Sequence, residues 1–424
     1  MKLKYGKIFK QIIFPLIAIA VVVGGTVRWF SYGGANGATV KVEKKVNKIQ
    51  IDKTLQTRVD SFVGNTRWVG TLGLMMYDAT AQKTVYAFHE DSLMRPASCM
   101  KLLTCVTALK TYGLSKVHHN RLYLSGTMKG DTLVGNLYVK LQFDPYFNRD
   151  TLYRLTNPLR EKGIKSVKGR VVLDMPDYEV LRHEMHWTIG DLKVRMLGLP
   201  FLGGRRLRNE VTWAMARLGI AVKKDSIVYG RVDGRLHPQL VNDVTTPLHN
   251  SLLRALKNSS NINAECMLFP LGQSVNPHGN FRYNGTVKMR QFVEKELKMD
   301  PDASCVIHDG CGLCPDDRMT PRLLVNLLYY AYQHKYIYKE VIEDLPLSGT
   351  DGTLWDRLRK PNVRGVIKAK TGTLTREAGI STLAGYYTSK DGHLIIFAIM
   401  NNECPVMDGR WWQDKFLSKV VGNR

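Results

Sequence analysis

A chain of 424 residues is too long for one ordinary core, and 44% hydrophobic with 23% charged residues excludes a generally disordered polymer. The 61 Lys and Arg against 37 Asp and Glu give a formal net charge of +24, which draws anionic polymers or membrane surfaces. No zinc-finger, homeodomain or RNA-recognition spacing accompanies that charge, so no nucleic-acid partner is expected.

Lys2, Lys4, Lys7 and Lys10 precede an apolar run over residues 12–27, the layout of a positively charged start followed by a hydrophobic export region. A spanning helix normally needs about 20 apolar residues, and this run is interrupted by Pro15, Gly24 and Gly25. Cleavage and single-pass membrane anchoring through residues 12–27 both stay open, because no A-x-A-like site decides between them. A buried core helix is disfavoured by the terminal position and the lysines in front. Export places a chain where disulfides form. Of Cys99, Cys105, Cys266, Cys305, Cys311, Cys314 and Cys404, at least one stays unpaired in a monomer. Cys311 and Cys314 form a C-x-x-C pair with no second pair at zinc spacing, so small buried side chains or one local disulfide are expected.

Residues 31–38 are rich in Gly and small side chains and predict a flexible tether, with folding beginning near Asn47. Apolar runs over 72–78 and 83–88 predict a hairpin. Leu102, Leu103, Val106, Leu109 and Leu114 recur at helical spacing, with Pro96 near the start and Gly113 near the end. Residues 118–242 read as an insertion of short strands with a Gly- and Arg-rich stretch over 203–208. The helical pattern returns through Leu252, Leu253 and Leu256. Strands over 382–388 and 393–401 close the chain, joined at Lys390-Asp391-Gly392. Early and late strands then complete one sheet around the insertion, and no internal repeat is found.

Three short motifs occur in order. In Ser98-Cys99-Met100-Lys101, S-x-x-K at a helix start puts hydroxyl and amine on one face. A serine hydroxyl is a poor nucleophile until a neighbouring base removes its proton, and a lysine becomes such a base when burial or a second cation lowers its pKa. In Ser259-Ser260-Asn261 a hydroxyl and a carboxamide two residues apart can relay a proton and hold a substrate amide, although a polar helix cap explains an isolated match. Lys370-Thr371-Gly372-Thr373 follows a strand-like run; its lysine and threonines can hold a carboxylate, and Gly372 leaves room for a peptide beside the strand. Together, S-x-x-K, S-x-N and K-T-G in this order mark penicillin-binding proteins and serine β-lactamases.

Around these motifs, from about Leu72 to Asn401, the chain resembles the class C low-molecular-mass penicillin-binding proteins, which are D-alanyl-D-alanine carboxypeptidases and endopeptidases. Matching stretches include Gly135-Asn136-Leu137-Tyr138, Asp309-Gly310-Cys311-Gly312-Leu313 and Asp351-Gly352-Thr353-Leu354. Two departures are Ser260, where Asp is common, and Cys311 and Cys314, where Ser is common. The resemblance implies an α/β (α+β) chain with the β-lactamase/transpeptidase-like serine D,D-peptidase fold, an antiparallel sheet flanked by helices, plus an inserted mixed domain. Residues 1–30 would be export signal or anchor, 31–64 linker and domain start, 65–117 and 245–424 the catalytic domain, and 118–244 the insertion, which looks shorter than usual after Asp191.

The resemblance also implies roles. Ser98 would be nucleophile, Lys101 base, Ser259 proton relay, Asn261 holder of the substrate amide and Lys370 a tuner of the local potential. Thr371, Gly372 and Thr373 would bind the substrate's terminal carboxylate end, and Asp191, near Trp187, would face a cationic substrate amine. His308 beside Asp309 would belong to a structural turn. Peptidoglycan stem peptides and β-lactam antibiotics are the expected partners, the periplasm or cell envelope the expected location, and neither cofactor nor metal is expected. D,D-endopeptidase action uses the same residues. A β-lactamase is disfavoured by the lack of a convincing deacylating glutamate. A non-catalytic peptidoglycan-binding envelope protein is the rival from another class.

Overall fold

The computed structural model describes residues 53–191, 198–376 and 379–421, together with the backbone of three short strands before residue 46. Residues 12–18 of the apolar run and the tether over 31–38 lie outside the described residues. Within the unit Met1–Gln50, Ile19–Val23 pairs antiparallel with Thr26–Phe30. No helix among the described residues is long and apolar enough to cross a membrane.

In the unit Ile51–Arg424, early and late strands share one antiparallel sheet. Strands β1 (Thr71–Asp78) and β2 (Lys83–Phe88) form the predicted hairpin. At the other end of the chain come β9 (Ile367–Leu374), β10 (Ile380–Thr388) and β11 (Leu394–Asn402), and the spatial order is β9-β10-β11-β1-β2. All nine residues of β11 are buried, as a central strand with both faces covered requires. On one face Ile395, Phe397 and Ile399 meet helix α1 (Lys53–Asn65) and the C-terminal helix Val406–Val420 through Leu55, Val59, Trp412 and Phe416. On the other, Ile396, Ala398 and Met400 meet helix α2 (Met100–Tyr112) and helix Pro321–Gln333.

Helix α2 is buried continuously from Met100 to Leu109, which its all-round apolar sequence dictates. Fully burying a leucine such as Leu103 contributes about 2 kcal/mol relative to exposure. The turn that carries Ser98 therefore leads directly into a helix buried along most of its length.

Between these halves β3 (Val117–Lys129), β4 (Thr132–Lys140), β6 (Val171–Asp174), β7 (Ile227–Tyr229) and β8 (Gln239–Pro247) form a mixed sheet in the order β7-β6-β4-β3-β8, with β5 (Ser166–Lys168) beside β4. It has a core of its own, including Leu122, Leu137, Phe147, Leu152 and Met215. Two of its strands correct the expectation of short ones: β3 runs 13 residues and β4 nine. The Gly- and Arg-rich stretch over 203–208 opens helix Gly203–Leu218. Its arginines are good helix formers, and Leu207, Val211, Ala214, Met215 and Leu218 supply the inward face at helical spacing.

Candidate active site

The site begins at a strained turn. Ala97–Cys99 is a single 3-10 turn leading into α2, and Ala97 holds φ +45°, a left-handed conformation that costs an alanine free energy. Gly312 explains why the turn can be approached closely: it sits at φ +78°, and a Cβ there would lie 1.9 Å from the Ala97 carbonyl oxygen. One helical step beyond, Lys101 is fully buried, with Nζ 2.7 Å from Ser98 Oγ, 2.7 Å from Asn261 Oδ1 and 2.6 Å from the Cys311 carbonyl oxygen.

That tripod sets a direction for proton transfer. As an ammonium, Lys101 donates to all three oxygens. The two carbonyl-type oxygens can only accept. When the amine is neutral they take its two N–H bonds, and the lone pair is left facing the Ser98 hydroxyl. Burial pushes the Lys101 pKa below the ordinary lysine range, opposed by Asp309 and Glu265 nearby.

Ser259 and Asn261 flank Ser260, whose side chain caps helix Asn261–Val275 by accepting from the Asn263 amide. The cap and the chemistry thus belong to adjacent residues. Ser259 stands at φ +56°, again left-handed, and its Oγ accepts from Lys370 Nζ at 2.8 Å. Lys370 is fully buried, its second donation going to the Thr371 carbonyl at 2.9 Å. Burial, with the Lys101 cation next, pushes its pKa down to about 7.

Two amines sharing one buried pocket titrate as a coupled pair. The acylation rate is expected to fall as pH drops through about 7, where the pocket takes up a further proton. In Lys370→Met the amine that titrates near 7 is gone, so the limb at that pH should disappear from the profile. Stopped-flow acylation between pH 5 and 9, as an assay range of about four units, reads both. For stability the sign is also fixed. With a folded pKa near 7 against an ordinary 10.5, the folded chain binds fewer protons between those values, so stability rises with pH across that window.

Strand β9 is the edge of its sheet, bridged on its outer side to Leu347 only at Lys368 among the described residues. Gly372 has a different reason from the expected one. A Cβ there would meet Thr382 Oγ1 at 2.0 Å and the Pro96 carbonyl at 2.7 Å, and Thr382 donates to that same carbonyl at 2.8 Å. The missing side chain lets the strand and the Ser98 turn close together. The Thr371 hydroxyl donates to Thr353 Oγ1 at 2.7 Å. Thr373 Oγ1 accepts from Arg410 Nη2 at 3.1 Å, which leaves its own O–H free to donate elsewhere. No motif in the sequence pointed to Arg410.

The loop that holds Lys101 is itself built on Asp309. This buried carboxylate accepts backbone N–H bonds from Cys311 (2.9 Å), Gly312, Leu313 (3.1 Å) and Cys314 (2.8 Å), and the Trp187 indole N–H at 2.7 Å. Glu265, also buried, accepts from the Gly310 amide at 2.6 Å and pairs with Arg282. His308 is a neighbour of this turn and packs against His186 rather than Ser98, with ring centroids 4.8 Å apart. Asp309→Asn turns one acceptor into a donor facing N–H groups, so the variant is expected to lose about 3 kcal/mol of stability in chemical denaturation.

Asp191 departs from its expected role. Its Oδ2 lies 2.5 Å from Arg376 Nη1 and accepts from the Thr188 amide and hydroxyl at 3.0 and 2.8 Å. Arg376 also donates to the Leu313 carbonyl. The carboxylate is thus paired through Oδ2 with this chain's own guanidinium. The seven cysteines are all buried and unpaired, which selects the small-side-chain reading over a local disulfide.

Known proteins were compared with this geometry. At 21% identity, the chain matches the D-alanyl-D-alanine carboxypeptidase DacB of Haemophilus influenzae over 77% of its own length and 84% of that protein. The crystal structure of penicillin binding protein 4 from H. influenzae superposes with TM-score 0.70 at 18% identity, covering 86% of this chain and 99% of that one. The penicillin G acylated form of a predatory endopeptidase from Bdellovibrio bacteriovorus superposes with TM-score 0.52 at 16% identity, covering 83% of this chain and 93% of that one. These superpositions carry the fold, an antiparallel sheet flanked by helices of the penicillin-binding type. A family profile covers most of the sequence, over residues 55–196 and 205–416, and the chain therefore belongs to the D-Ala-D-Ala carboxypeptidase 3 (S13) family of peptidases.

Proposed function

We propose that the chain is a serine-type D-Ala-D-Ala carboxypeptidase acting on peptidoglycan stem peptides through an acyl-enzyme on Ser98. The observation that carries this reading is the Lys101 amine, 2.7 Å from Ser98 Oγ and held by two oxygens that can only accept. Ser98 Oγ attacks the carbonyl carbon between the two terminal D-alanines while its proton passes to Lys101. The backbone N–H groups of Ser98 and Thr373 receive the oxyanion, each contributing about 3 kcal/mol in acyl transfers of this kind. Ser259 hands a proton to the departing D-alanine amine, with Lys370 at its back. Asn261 holds the substrate amide, and Thr371 and Thr373 the terminal carboxylate, which the free edge of β9 allows to lie alongside as an added strand. Water then hydrolyses the ester and returns Ser98 to its hydroxyl form.

Residues 65–117 and 245–424 form the catalytic domain in this reading, and 118–244 the inserted one, in an exported chain of the periplasm or cell envelope. The enzyme also takes β-lactams, whose ring carbonyl Ser98 opens to a long-lived penicilloyl ester. Peptide mapping after benzylpenicillin treatment tests this directly. The penicilloyl mass should appear on the peptide that contains Ser98, and an adduct elsewhere or none at all defeats the reading.

A second reading, D,D-endopeptidase action on cross-links, is favoured by the likeness of fold to the Bdellovibrio endopeptidase. It needs the same residues and more space for the leaving group. Mass spectrometry of digested muropeptides separates the two: loss of single D-alanines marks the carboxypeptidase, and conversion of dimers to monomers the endopeptidase.

A further inference from the structure

Outside the groups that contact Ser98, four metal-binding side chains converge from two distant stretches. Glu184, His186, His308 and Cys314 each offer a ligand atom within 4.8 Å of the others. Glu184 and Cys314 are buried, at 5% and 2% exposure. His186 opens onto a cleft of about 830 Å³ lined also by Phe269, Arg282 and His308. Glu184 Oε1 lies 2.6 Å from His186 Nδ1, and the rings of His186 and His308 are 4.8 Å apart. A buried thiol, two imidazoles and a carboxylate are a borderline-soft donor set, suited to Zn²⁺ and unsuited to Mg²⁺ or Ca²⁺, which want oxygen alone.

The distances allow a closed site. Tetrahedral zinc with ligands at about 2.0–2.3 Å places ligand atoms roughly 3.3–3.8 Å apart. From the spread seen here the donors have to shift by only about 1 Å or less, the outer ones inward and the hydrogen-bonded Glu184–His186 pair apart, within the reach of side-chain rotation. The C-x-x-C spacing of the sequence hid this arrangement, because the partners of Cys314 lie more than a hundred residues upstream rather than in a second cysteine pair.

We propose that Glu184, His186, His308 and Cys314 bind one structural Zn²⁺ that clamps the 184–186 segment to the loop over 308–314. Binding displaces the Cys314 thiol proton to solvent and leaves all four first-sphere positions filled by protein, so the ion takes no part in the chemistry at Ser98. Its effect is on order. The clamped loop carries the Cys311 carbonyl that holds Lys101, and it is already anchored by the hydrogen bond that the Cys314 amide N–H donates to Asp309. The ion would add a tether from outside the turn.

Untagged full-length protein, stripped with chelator and reloaded with one equivalent of Zn²⁺, is expected to retain one zinc per chain through gel filtration by elemental analysis. Loading with Co²⁺ instead should give a thiolate-to-cobalt charge-transfer band in the near ultraviolet. Cys314→Ser should lose that band while keeping the wild-type circular dichroism, and His186→Ala should lose at least about tenfold in zinc affinity. A reloaded protein that retains no zinc through gel filtration overturns the proposal. So does a cobalt spectrum unchanged by Cys314→Ser, since the ion would then sit elsewhere.

Discussion

Ser98→Ala should abolish covalent labelling by benzylpenicillin and lower kcat/KM on a D-Ala-D-Ala peptide by at least about 10⁴-fold, the scale on which acyl-transfer enzymes lose activity without their nucleophile. The change removes one oxygen from a half-buried turn whose geometry is set by Ala97, Gly312 and Thr382, none of which depends on that oxygen. Folding should be preserved, and KM should change far less than kcat. Intact mass spectrometry with steady-state kinetics reads both. Equal labelling of wild type and variant would place the reactive nucleophile outside the pocket.

Lys101→Met should retain Ser98 and still lose about 10³–10⁴-fold in acylation rate, the range expected when a positioned general base is deleted. Methionine preserves the length and apolar stem of the buried side chain, so loss of the base is separated from loss of packing. The Asn261 and Cys311 carbonyl oxygens lose their donor, which costs roughly 1–3 kcal/mol each if nothing replaces it. Removing a buried amine that is hard to keep charged works in the opposite direction. The rate loss should therefore greatly exceed the stability change. A variant acylating at more than about a tenth of the wild-type rate would show that another group takes the Ser98 proton.

Much of this site was legible because its chemistry is carried by short motifs in a fixed order. Ser98 and Lys101 lie one helical turn apart, and Ser259 with Asn261 straddles a helix cap; neither arrangement depends on distant contacts. The core strands were legible too, since residues 394–400 are apolar without interruption and both faces of β11 are covered. What was hidden depends on long-range pairing. The Asp309 nest takes its donors from a turn that no periodicity reveals, and Arg410 reaches Thr373 from a C-terminal helix. The pairing of Asp191 with Arg376, 185 positions away, was hidden for the same reason. The insertion's strands were read too short, and β3 and β4 run straight through Gly126 and Gly135. In the structure they face one another across β3 and β4, each with no space for a side chain.

The left-handed backbone at Ala97 and Ser259 has a wider consequence. Each such residue works against folding by about 1–3 kcal/mol, and the desolvated Lys370 between them adds to the load. A screen for heat-hardened variants should therefore return relaxed pockets first, with hydrolytic turnover as the casualty. A relative kept only as a wall-binding scaffold would gain nothing from this tension and should shed it, whereas the present chain holds it at Ala97 and at Ser259.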